Sequence, residues 1–151
     1  MSQTVFIGSD HAGLTLKSAI IAHMAQAGHD VNDLGPATAD SVDYPNFAMA
    51  VCIKVQATPG SAGILVCGTG IGMSMAANRI PGIRAALCLN EYLARMTRLH
   101  NDANVLCLGE RVVGEGLALS IVDVFLATAF EGGRHQRRID LIETCCQSIT
   151  A

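Results

Sequence analysis

Residues 62–68, AGILVCG, make a nearly continuous apolar run with none of the in-and-out alternation of a half-wet strand. A strand of that kind needs cover on both faces, so it belongs in the middle of a parallel sheet. Parallel neighbours cannot be joined by a tight hairpin; each pair needs a long crossover, usually a helix. The rest of the chain supplies them. TVFIGSD (4–10) reads as a strand, and LTLKSAIIAHMAQAG (14–28) follows with Leu14, Leu16, Ile20, Ile21 and Met24 at helical spacing and Gly28 as a stop. DVNDLG (30–35) is a short second strand, PATADSVDYP (36–45) a polar loop, and a helix over 45–57 ends ahead of Pro59 and Gly60. A helix over 70–79 follows the central run. IRAALCL (83–89) pairs with the helix EYLARMTRLHN (91–101), and NVLCLG (104–109) with GEGLALSIVDVFLATAF (114–130). After EGG (131–133) comes a last helix over 134–149. Five strands alternating with helices predict an α/β fold, a doubly wound parallel sheet with right-handed crossovers. No linker, repeat or low-complexity tract interrupts the rhythm, so residues 1–151 read as a single domain.

Half of the residues are hydrophobic and only 15% are charged, which predicts extra apolar surface hidden in an oligomer interface. A formal net charge of −3 argues against a general nucleic-acid binder, which carries a basic excess. The first ten residues lack the basic start and long apolar run of a secretory signal, and no segment approaches the ~18 apolar residues of a membrane span. The six cysteines show no framework spacing and no C-x-x-C pair. Reduced thiols in a cytoplasmic protein are the expectation.

In an open α/β sheet, ligands collect beyond the carboxyl ends of the strands. The segments that follow the strands here are SDHAG, CGTGIG, LNEY and LGERVVG, and the helix after the fourth strand ends in RLHND. Topology therefore predicts that Asp10, His11, Cys67, the glycine loop, His100 and Arg111 meet at one edge. Gly68, Gly70 and Gly72 let the backbone turn tightly and leave successive N–H groups pointing outward, an arrangement that cradles anions. The same residues also fit a tight turn with no ligand. The spacing is that of neither a P-loop nor the dinucleotide fingerprint. Cys67 stands immediately before this loop, where N–H donors and a helix start favour thiolate over thiol. Such a sulfur could be a nucleophile or a general base; from its position alone, one more buried core thiol is the plainer reading. Cys52, Cys88 and Cys107 lie inside apolar patterns and read as core, and Cys145 and Cys146 as packing on the last helix. His23 and His29 fall on the first helix and its exit and read as solvated. No set of ligands falls at metal spacing, so no metal is expected. Arg134 and Arg138 share a helix face four residues apart, in a first turn whose dipole opposes cations. An anion partner, phosphate above all, would offset that cost; a solvated face is the plainer reading.

Taken together, GSDHAG, DYP, CGTGIGMSMAANR, GIRAALC, RLHNDANVLCLGERVVG and FEGGRHQRRI resemble the ribose-5-phosphate isomerase type B family, which includes galactose- and allose-6-phosphate isomerases. The resemblance spans nearly the whole chain. It implies a Rossmann-like sheet with no bound nucleotide and no cofactor, assembled as dimers or tetramers with sites shared between subunits, the C-terminal helix packing on a neighbour. It further implies that Cys67 moves a proton between C1 and C2 of an open phosphosugar, with His100 helping to open the ring, assisted by Asp10 and Thr69. Backbone groups of Gly68, Gly70, Ile71 and Gly72 would hold the enediolate oxygens and Asn101 a hydroxyl. His11, Arg111, Arg134 and Arg138 would grip the phosphate, the last two from the neighbouring subunit. A branch of the family uses a glutamate in the glycine-loop helix as its base; that position is Met73 here, so the chain resembles the cysteine branch. The length of the sugar stays open: ribose 5-phosphate is the default, with four- and six-carbon phosphates as alternatives.

Overall fold

The structure, a computed structural model, describes residues 2–148. Five strands, β1 (Thr4–Ser9), β2 (Asp30–Asp33), β3 (Ala62–Cys67), β4 (Ala85–Leu87) and β5 (Val105–Gly109), form one sheet in the order β2-β1-β3-β5-β4, every pair parallel. The helices are α1 (Leu14–Gln26), α2 (Tyr44–Ala57), α3 (Ile71–Ala77), α4 (Glu91–Asn101), α5 (Glu115–Ala127) and α6 (Arg134–Ser148). The doubly wound α/β architecture expected from the sequence is the one observed. The last residue of the expected final helix lies outside the described residues.

Burial explains the strand order. All five residues of β5 are buried, whereas the three of β4 are only half-buried. The more apolar strand takes the inner place beside β3, and the short one goes to the edge. Chain direction reverses between β1 and β3: from β1 the chain crosses by α1 to β2 on one side, then returns by α2 to β3 on the other. That is the switch point at which open sheets leave a crevice.

The two faces of the sheet make two cores. Ile64 and Val66 join Ile20, Met24, Ile121 and Phe125 on the α1, α5 side, while Leu65 and Cys67 join Val51, Val55 and Met73 on the α2, α3 side. This is the period of two that a strand imposes. Pro45 stands at the start of α2, where its missing N–H costs nothing.

Two local features escape the sequence reading. A turn of 3-10 helix, His11–Gly13, separates β1 from α1, capped by Asp10 Oδ1, which accepts from the N–H groups of Ala12 (2.9 Å) and Gly13 (3.1 Å). Lys17 sits on the inward face of α1, 1% exposed, and donates to Asp33 Oδ1 at 2.7 Å and the carbonyl of Pro36 at 2.8 Å. A buried ammonium is tolerated only with such partners; here it ties the start of the 36–43 loop to the first helix.

Gly109 closes β5 so near the turn after β3 that an added Cβ would lie 2.5 Å from the backbone carbon of Thr69. Gly116, at the start of α5, has open space at the same point. Gly109→Ala should destabilise the protein by about 1–3 kcal/mol, as overpacking does. Gly116→Ala should be neutral or stabilising by up to about 1 kcal/mol. Urea unfolding midpoints of the two variants check the contrast.

Candidate active site

The carboxyl ends of β1, β3 and β5 bring together one cluster of functional groups. β1 delivers Asp10 and His11, β3 delivers Cys67 and the loop that follows it, and β5 delivers Glu110 and Arg111. Backbone bonds fix their mutual position: Asp10 N–H donates to Val66 O (3.1 Å), Glu110 N–H to Cys67 O (2.9 Å) and Arg111 N–H to Gly68 O (3.0 Å).

The glycine loop is built around Gly70. Its φ of 78° is left-handed, and a Cβ there would also strike Leu87 Cδ1 at 2.6 Å and Leu108 C at 2.9 Å. In this conformation the N–H of Gly70 donates to Cys67 Sγ at 3.1 Å. Thr69 Oγ accepts from Ile71 N–H at 3.3 Å, so the threonine stands exposed at the crest of the loop with its hydroxyl held. Gly68 lets Arg111 approach: the site of an added Cβ lies 3.4 Å from Arg111 Nη1. The guanidinium therefore lies against the loop at Gly68. Tyr44, the first residue of α2, lies close to the same loop, its ring 2.8 Å from where a Cβ on Gly72 would be. The sequence alone gives Tyr44 no role, although it lies in the DYP motif.

Cys67 is 5% exposed, and what separates it from the other buried thiols is the amide aimed at its sulfur. Burial pushes the Cys52 thiol up to about 12, that of Cys88 to about 11, and that of Cys107 well above the ordinary range. Those three are core residues, as the sequence predicts. His11 stands exposed beside the cluster, and its Nδ1 accepts the N–H of Val42 at 3.3 Å. The 36–43 loop thus closes onto His11 and leaves Nε2 as the nitrogen free to donate.

One expectation fails within the protomer. His100 and Asn101 do not join the carboxyl-edge cluster. α4 leaves β4 at its carboxyl end and runs back along the sheet for eleven residues, about 16 Å, so its last residues reach the amino edge. There Arg84, just before β4, donates from Nε to the carbonyls of Asn101 and Asp102, each at 3.0 Å. The sequence reading treated the end of a helix as if it were the end of a strand. Arg134 and Arg138 belong to the same distant group, exposed on α6 beside the buried His135 and Ile139. His100 stacks on His135, with ring centroids 4.3 Å apart, and Glu131 lies beside both. The sequence reading missed this trio, whose signal was Glu131 and His135 at i and i+4. Potential ligand atoms of the three lie within 4.8 Å of one another. The rings are 13° from parallel, so their lone pairs run in neighbouring planes and do not converge on a point about 2.1 Å from each nitrogen, as a metal requires. His23, read as solvated, is tied to Asp123 Oδ1 of α5 at 2.7 Å, and His29 is half-buried.

This two-part layout has close parallels. The Ribose/Galactose Isomerase family model matches residues 5–142. The chain belongs to that family. Ribose-5-phosphate isomerase B of Escherichia coli is 46% identical over 138 residues, covering 91% of this chain and 93% of its own. The structure of ribose-5-phosphate isomerase B from Clostridium thermocellum superposes with a TM-score of 0.95 at 49% identity, covering 97% of this chain and 99% of the other. That of ribose-5-phosphate isomerase B from Mycoplasma genitalium, solved with bound ribulose 5-phosphate, superposes with a TM-score of 0.92 at 48% identity, covering 97% and 98%. Among the described residues of this family member, no helix is long and apolar enough to cross a membrane.

The contrast among the thiols gives a direct check. At pH 8 the raised thiols of Cys52, Cys88 and Cys107 remain protonated, because deprotonation awaits a pH of about 11 or more. Iodoacetamide on the native protein should leave all three unmodified and label Cys67 alone among the buried four, with all of them reacting after denaturation. Peptide mass mapping reads the outcome.

Proposed function

We propose that the chain is an aldose–ketose isomerase that interconverts ribose 5-phosphate and ribulose 5-phosphate through an enediolate, with Cys67 as the base. The observation that carries this reading is the Gly70 amide on the Cys67 sulfur at the switch point of the sheet, in a chain 48% identical to a relative solved with bound ribulose 5-phosphate. The reaction moves one hydrogen from C2 to C1 while the carbonyl moves the other way. Carbon is oxidised and reduced within one molecule, so the chemistry calls for no external cofactor. A single base above C1 and C2 takes the proton from one carbon and returns it to the other. Negative charge gathers on the oxygens, beside the loop amides of Gly68, Gly70, Ile71 and Gly72. The Gly70 N–H here donates to Cys67 Sγ and that of Ile71 to Thr69 Oγ, so those two serve the oxygens by exchanging partner. Arg111 and the donor nitrogen of His11 suit the phosphate, whose binding holds the reacting carbons in place. Asp10 keeps Oδ2 for a sugar hydroxyl, since Oδ1 is spent on its turn.

His100, Asn101, Arg134 and Arg138 complete such a site only if a second copy brings its amino edge to this carboxyl edge. Exposed apolar side chains favour association: Met49 and Ile53 on α2, Ile71 and Met75 on α3, and Leu141 and Ile142 on α6. Ile71 and Met75 flank the glycine loop itself. We therefore assign a homodimer, alone or within a tetramer, of single-domain subunits that share two sites, acting in the cytoplasm in pentose phosphate metabolism.

Cys67→Ala should lower isomerisation by about 10²–10⁴-fold with folding retained, measured by ribulose formation and circular dichroism. Near-normal turnover would remove the base. Cys67→Ala and Arg134→Ala subunits, each inactive, should regain about a quarter of wild-type activity on exchange, because half the dimers then hold one intact site of two. No recovery after verified exchange would rule out shared sites.

A further inference from the structure

The reaction outlined above makes no use of His135 or Glu131, yet both are built tightly around His100. The two imidazoles stack at 4.3 Å with their planes 13° apart. Each Nε2 lies just past hydrogen-bond reach of the same oxygen, Glu131 Oε2, at 3.7 Å from His100 and 3.6 Å from His135. His135 is 6% exposed at its side chain, and its Nε2 is buried without a hydrogen-bond partner. A buried, unpaired ring nitrogen carries a penalty, so something other than stability maintains it. His100 is 40% exposed and is the member of the pair that a ligand can touch. The backbone sets the arrangement: Glu131 N–H donates to Leu99 O at 3.1 Å, and Gly132 and Gly133 take positive φ of 71° and 58°, which turns the chain into α6 with His135 facing back.

We propose, resting on the isomerase reading above, that Glu131 and His135 are positioning residues that hold His100 for opening the furanose ring and take no part in the proton transfer at carbon. In ring opening, O1 loses its proton, the C1=O1 bond forms, and the C1–O4 bond breaks with its electron pair going to O4, which gains a proton. One proton leaves and one arrives, so nothing else is consumed. His100 serves this step by passing between its neutral and cationic forms. The stack fixes the plane of its ring, Glu131 stands beside Nε2 to balance the charge, and Nδ1 is left to face the sugar, as the carboxylate of a catalytic triad orients its histidine. Burial, the facing His100 ring and Arg134 hold His135 below the usual histidine range, so it stays neutral and does not compete for the proton. Arg138 acts on it in the same sense and Glu131 in the opposite one. Arg98 of α4 pairs with Asp102 at 3.0 Å, and Asp123 of α5 with His23 at 2.7 Å.

The substrate pair itself separates the two steps. Ribulose 5-phosphate carries its phosphate on the oxygen that would close a furanose, so it is always open. Its C1 hydrogen can exchange with solvent through the enediolate without any ring chemistry. The experiment compares isomerisation of ribose 5-phosphate with deuterium wash-in at C1 of ribulose 5-phosphate in D2O. His135→Ala and Glu131→Gln should each lower isomerisation about tenfold or more, the scale of a misplaced catalytic group, and leave wash-in within about twofold. His135→Phe, which keeps the stacked ring and removes the unpaired nitrogen, should regain most of the lost isomerisation. The proposal is overturned if both rates fall together in folded variants, if neither falls, or if the Phe variant is as impaired as the Ala variant. Cys67→Ala serves as the reference, since it should lose both rates; persistent wash-in there would overturn the base and not the positioning pair.

Discussion

The fold of the site depends on one close contact between backbones, where the turn after β3 presses against the end of β5. Gly109 admits Thr69 at a distance that excludes any side chain, and Gly70 turns left-handed between Leu87 and Leu108. These two glycines swing the Gly70 amide back onto the sulfur three residues earlier. If that turn relaxed, Cys67 would be the third inert thiol of the α2, α3 core, after Cys52 and Cys107. The chemistry ascribed to the chain is therefore a property of backbone geometry first and of the cysteine second.

The second constraint is direction. A helix that follows a parallel strand must run back to the amino edge before the next strand can begin. Every residue at the end of such a helix is thereby removed from the crevice that its own strand lines. His100 and Asn101 are placed by this rule, and Arg134 and Arg138, on a helix that packs against α4, share their fate. A chain that uses both groups in one reaction has to do so across two copies. The proposed sharing of sites thus follows from the same topology that builds the sheet, and the exposed apolar residues beside the glycine loop and on α6 are its counterpart in composition.

The elements were legible because each carries its own signal. AGILVCG reads as a doubly covered strand from its unbroken apolar run, and Gly28 and Pro59 punctuate the chain where helices end. Strand order was less accessible: it turns on β5 being more completely apolar than β4, a comparison that local patterns do not make. Lys17 shows the opposite limit, because its charge argues for a wet helix face, and only the distant Asp33 and the Pro36 carbonyl make its burial tolerable. The carboxyl-edge residues Asp10, His11, Cys67 and Arg111 could be placed from topology alone, since each ends a strand or follows one within two residues. His100 could not, because its place depends on which end of a helix faces the crevice. Tyr44 and His135 were invisible for a related reason: their contacts, with Gly72 and His100, are tertiary.

Packing the imidazoles face to face also has a consequence for how the two ends of the protomer divide their work. The carboxyl edge offers fixed amides, whose strength lies in not moving when charge appears on oxygen. Ring opening makes a different demand, since it needs a group that changes charge, and a flexible, half-exposed histidine at a subunit surface would meet it poorly. Stacking His100 on a buried neutral ring supplies stiffness without adding a competing charge, and one carboxylate beside both rings supplies the balance that a cationic imidazole requires. The two edges of the sheet are thus built on two principles: permanent dipoles where the substrate's charge changes, and a braced, titrating side chain where the protein's own charge must change.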